Sequence, residues 1–150
     1  MPDACLALQN EHGVDVNMLL YCCWIGMAVG QFNDALFERA SSYSKRWAGN
    51  VVIPLREART WMKHTGCVED STPTDACMRL RDKVKSVEFA AEKMQQEVLE
   101  SFVHETSEPD PNGLHDDVAA NLSRYLAHID VAESAEVKQK LKTIVAAAFP

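Results

Sequence analysis

No stretch of these 150 residues is apolar for long enough to cross a bilayer. The longest, Met18 to Val29, spans about 18 Å as a helix at roughly 1.5 Å per residue, short of a hydrocarbon core of about 30 Å. The start, Met1-Pro2-Asp3-Ala4-Cys5, lacks the basic region and apolar run of a secretory signal. Glycine and proline are scarce, six of each, and β-branched alternation is rare, which argues against a sheet protein. The five cysteines are odd in number, without framework spacing, and include the adjacent pair Cys22 and Cys23. They read as reduced thiols of a cytoplasmic protein rather than as a disulfide scaffold. Basic residues are also short, 15 against 22 acids, and the net charge of -7 opposes general binding to nucleic acid or anionic membranes. There is no Gly-x-Ser-x-Gly elbow and no glycine-rich phosphate loop.

What remains is a chain that is 47% hydrophobic and 25% charged, rich in Ala, Leu, Glu, Lys and Gln, whose straight side chains keep their rotamer freedom in helices. A chain of this length removes roughly 70% of its extended-state surface from water, so it needs no metal or disulfide to hold a core. The expectation is an all-α fold: one domain over 1–150, a small bundle of five to six helices containing a long antiparallel helical hairpin.

A first short helix covers Asp3 to Asn10 and stops at Gly13. Asp15 is placed to cap a second helix, apolar all round from Met18 to Ile25 and closed by Gly30, which should be the buried centre. Asn33 or Asp34 caps a third, whose stripe from Leu36 to Met62 is interrupted by Pro54, so a kink or two abutting helices are expected. After a polar break at Gly66 to Thr72, Pro73 starts the longest helix. There Cys77, Leu80, Val84, Val87, Ala91, Met94 and Val98 alternate steps of three and four. That pattern predicts one packed seam, in which Leu80→Asp would cost several kcal/mol. The acidic segment 105–117 reads as a solvated linker, and two amphipathic helices follow within 118–148.

The polar groups offer three constellations. His64, Cys67 and Cys77 surround the Gly66 break, but their spacing matches no closed zinc set, and no metal or other cofactor is expected. His12, Asp15, Asn17 and Trp24 gather near the start of the buried helix, where a carboxylate beside a histidine can form an acid/base pair or line a pocket. Asp15 as a plain helix cap explains the same residues more simply. Glu88 and Glu92 read as a solvated face. Basic residues cluster between Arg39 and Thr65, six against one acid. Arg56, Arg59, Lys63, Arg81 and Lys85 would then form a basic surface at the loop end of the hairpin, suited to an anion or RNA, or to balancing the acidic linker.

From Ala4-Cys5-Leu6-Ala7-Leu8-Gln9 through Gly13-Val14-Asp15-Val16-Asn17-Met18-Leu19-Leu20 and Trp24, the chain resembles a family of small proteobacterial proteins whose shared domain has no known function. The likeness continues at Trp47, at Val51-Val52-Ile53-Pro54-Leu55-Arg56 and at Leu80-Arg81-Asp82-Lys83-Val84-Lys85, a family-like core over 1–103. The resemblance implies a small cytoplasmic helical protein and supplies no activity, cofactor or catalytic residue. Members that look like this carry a further amphipathic segment ahead of Ala4, which here implies an uncovered surface at Cys5 to Leu8. The favoured function is non-enzymatic: binding of a protein partner, with a weak homodimer through the N-terminal helices. The alternatives are a small enzyme or ligand-binding protein using the His12 cluster, and RNA binding at the basic end, which the net charge makes the weaker of the two.

Overall fold

The computed structural model describes residues 2–64, 74–103 and 114–148. Its α-helices are α1 (Pro2–His12), α2 (Val16–Ala28), α3 (Asp34–Trp47), α4 (Ile53–His64), α5 (Thr74–Glu100), α6 (Leu114–His128) and α7 (Ala135–Ala148). One wide π turn, Ala48–Val52, joins α3 to α4 without a break, so the described residues form six continuous helical rods and no strand. The all-α bundle follows the reading above. No helix among the described residues is long and apolar enough to cross a membrane.

Local chemistry sets the helix ends. Asp15 caps α2 by accepting from the Asn17 N–H, and Asn33 caps α3 by accepting from the Leu36 N–H. Gly13, at φ +66°, turns the chain out of α1 while its N–H bonds the Gln9 carbonyl. The expected break at Pro54 takes the form of the π turn. Proline cannot donate to the carbonyl four residues back, and the ladder widens just before it, with the Ile53 N–H reaching Ala48 O.

The core is a single cluster drawn from α1, α2, α3, α6 and α7 with Leu99 of α5, and α2 runs through its middle. Helix α6 lies antiparallel against α2 so closely that a Cβ on Gly26 would meet the Val118 backbone at 2.7 Å. Its Asn121 accepts from the Phe32 N–H and donates to the Gly30 carbonyl, stitching the turn between α2 and α3. Cys5 and Leu8 are buried in this core, with α7 packed against α1, so the uncovered surface expected there reduces to Leu6.

Helix α5 corrects the seam. Leu80, Val87 and Met94 are 50%, 54% and 47% exposed, whereas the covered row is Cys77, Arg81, Val84, Glu88, Ala91, Gln95 and Leu99. The two rows share Cys77, Val84 and Ala91 and diverge at every other step. Three members of the covered row are polar residues, which a hydrophobic count passes over. The partner of α5 is α4, as the hairpin reading requires, with α2, α3 and the π turn behind its C-terminal half.

Two further expectations change. Residues 114–117 of the acidic segment are the first turn of α6, where Asp116 and Asp117 sit favourably at the positive end of the helix; residues 104–113 lie outside the described residues. Cys5, Cys22 and Cys23 are free, buried thiols, and burial raises the pKa of each, that of Cys23 to about 12. Cys77 is disulfide-bonded, so five reduced thiols is an overestimate: an odd count without framework spacing does not forbid one bridge. Cys67 lies outside the described residues.

Candidate functional site

Asp15 ties four helices together. One carboxylate oxygen caps α2 at Asn17 N–H, 2.9 Å away. The other accepts from the Ser44 hydroxyl of α3 at 2.5 Å and from the Gln95 amide of α5 at 2.6 Å, while the Asp15 N–H donates to the Tyr125 hydroxyl of α6 at 3.1 Å. The network runs on: the Asn17 amide donates to Gln95 Oε1, and the Gln96 amide donates to Asn17 Oδ1, each at 2.8 Å. Asn17, Ser44 and Gln95 are buried, and each finds the partner that burial demands.

Beside this network, between α2 and α5, lies a cavity of about 260 Å³ lined by Asn17, Leu20, Tyr21, Trp24, Gln96, Leu99 and Glu100. The rings of Tyr21 and Trp24 stack with centroids 5.9 Å apart. Of the four residues expected to make a pocket, Asn17 and Trp24 line this cavity and Asp15 stands one hydrogen bond behind Asn17. His12 does not join them; it is exposed at the end of α1, 3.9 Å from Glu11. Gln96 and Glu100 were not anticipated. Their only signal is a spacing of four on the helix that carries Gln95.

Asn17, Leu20 and Gln96 also line a wider groove of about 540 Å³, with Leu6 of α1 on one side and Arg56, Arg59, Glu88 and Glu92 on the other. Here the expected basic surface is largely internal. Arg56 bonds Glu88 at 3.1 Å and Glu92 at 2.6 Å, and Arg59 grips both oxygens of Glu88. Glu88 is buried, which corrects its reading as a solvated residue. Burial alone would raise its pKa, but the hydrogen bonds and charges of Arg59 and Arg56 together outweigh burial and hold it below the usual carboxylate value. The bond to Glu88 raises Arg59 in turn. The Arg81 side chain is mostly covered and lies 3.6 Å from Asp82, so of the five only Lys63 and Lys85 stand exposed.

Apolar exposure is uneven. Eight large hydrophobic side chains are exposed among the described residues, and seven belong to the hairpin: Ile53, Trp61, Met78, Leu80, Val87, Phe89 and Met94. The eighth is Leu6. No three His, Cys, Asp or Glu side chains converge as a metal site among the described residues.

Neither a curated protein nor a solved structure matches the chain. A family model matches residues 1–99, from α1 to the last turn of α5, and leaves α6 and α7 outside. The chain belongs to the family described as Protein of unknown function (DUF2390).

Proposed function

We propose that the protein works in the cytoplasm by binding another protein through the outer face of the α4–α5 hairpin. The observation that carries this reading is the placement of seven of the eight exposed large hydrophobics on those two helices. Single exposed apolar residues are ordinary on a soluble protein, whereas a row repeated along one helix marks a contact surface. Leu80, Val87 and Met94 are spaced by seven, the repeat that a facing helix reads as one stripe. Beside the stripe, α5 carries the basic Arg79 and Lys83 in its first half and the acidic Glu97 in its last turns. A second copy running antiparallel meets that order of charges with its complement. A weak homodimer through α5, rather than through the N-terminal helices, is therefore the simplest form of the proposal.

A photoreactive benzophenone amino acid at Val87, compared with one at exposed Lys138 on α7, tests the surface in living cells. The expected result is a discrete crosslinked product from position 87 and none from position 138. A product of twice the chain mass identifies the second copy, and any other mass identifies a different protein partner. Equal or absent crosslinking at the two positions would overturn the reading.

A further inference from the structure

We infer that the cavity between α2 and α5 is a binding site for an alkylammonium group. The direction of the hydrogen-bond relay carries the argument. The Asp15 carboxylate only accepts, so Gln95 must turn its NH₂ toward it and its carbonyl toward Asn17. Asn17 must then give its NH₂ to Gln95 and present its carbonyl to the Gln96 NH₂. Each amide is fixed by the one before it, and the last free end of the chain is Gln96 Oε1, an acceptor.

One turn further along α5, Glu100 lines the same cavity, and no cationic side chain among the described residues forms an ion pair with it. The lining contains no Lys, Arg or His. The remainder is apolar and aromatic, with Leu20, Leu99 and the stacked rings of Tyr21 and Trp24. A carboxylate and an amide carbonyl one helical turn apart suit the three N–H donors of a protonated primary amine. Aromatic rings within about 6 Å attract the cation further, and the leucines take its hydrocarbon. An anion is repelled by the Glu100 carboxylate. A neutral alcohol gains the apolar contact and a single hydrogen bond, without the charge attraction.

The probes are phenethylammonium, its neutral counterpart phenethyl alcohol, and phenylacetate, each titrated into the full chain. Binding is read by calorimetry and by the indole N–H resonance of Trp24, assigned with Trp24→Phe. Phenethylammonium should bind saturably and shift that resonance, with the alcohol at least about fivefold weaker and the carboxylate without effect. Glu100→Gln, an isosteric change at an exposed position, should weaken the ammonium by about fivefold and leave the alcohol unchanged. Affinity for the ammonium should also fall as salt rises. An N-acetyl-lysine amide arm separates the two sources of the group: tighter binding than phenethylammonium assigns the amine to a protein side chain, and weaker binding to a small molecule. An alcohol that binds as well as the ammonium would overturn the inference. So would an unmoved Trp24 resonance, or a folded Glu100→Gln variant with unchanged ammonium affinity.

Discussion

Two antiparallel helix pairs hold this protein together by opposite means. Between α2 and α6 the contact is apolar and tight, with Gly26 against the Val118 backbone and Leu19, Ile25, Leu122 and Leu126 fully buried. Between α4 and α5 the contact is made by guanidinium groups closing on Glu88 and Glu92, and over residues 53–63 no α4 side chain is buried, with Leu55, Arg56, Arg59 and Met62 partly covered. The first pair gains stability from excluding water over area. The second gains orientation, because a bidentate guanidinium bond fixes register and loses strength with salt and acid. One pair is a core, and the other is an arm whose remaining apolar surface faces outward.

The sharpest break in that comparison is Gly26→Leu. A side chain there meets main-chain atoms of α6, which cannot swing aside, so the two helices must separate. The expected loss exceeds about 3 kcal/mol and is measured by urea unfolding.

Glu88→Ala should cost less, about 1–2 kcal/mol, because Arg56 and Arg59 keep partial access to water once their anion is gone. Its acid dependence sharpens the point. The folded pKa of Glu88 lies below its unfolded value, so its stabilisation is fully present above the ordinary carboxylate pKa of about 4.3 and is lost as pH falls through the lower folded value. The melting temperature of the native chain should therefore fall below about pH 4, and Glu88→Gln should remove that part of the pH dependence.

Leu80→Asp should have the smallest effect, within about 0.5 kcal/mol, since the residue is half exposed. Melting temperatures that differ by only a few degrees from the native chain would confirm that α5 presents this row outward. The same substitution should abolish hairpin crosslinking if the proposed surface is the one used.

The fold class, the caps at Asp15 and Asn33 and the buried character of α2 were legible because each rests on local rules: side-chain oxygens at helix starts and apolar residues all round a central rod. The rotation of α5 was not. Periodicity identifies a helix from its apolar residues, and three members of the covered row are Arg81, Glu88 and Gln95, of which Glu88 and Gln95 take their partners from α2, α3 and α4. Pairings between residues 29 to 80 positions apart leave no mark in a local pattern. For the same reason Asn17 and Trp24 could be placed near a pocket, while Gln96 and Glu100, supplied from the far end of another helix, could not.

The π turn at Ala48–Val52 has a consequence for chain length. It holds one residue more than a regular turn, and each residue advances a helix by about 100°. Deleting Gly49, which has open space around it, would wind α3 and α4 into uninterrupted register and swing Arg56 and Arg59 about a quarter-turn from Glu88. The spare residue works as an indexing notch: it decides which side of α4 meets α5, and hence which side chains the arm leaves in solvent.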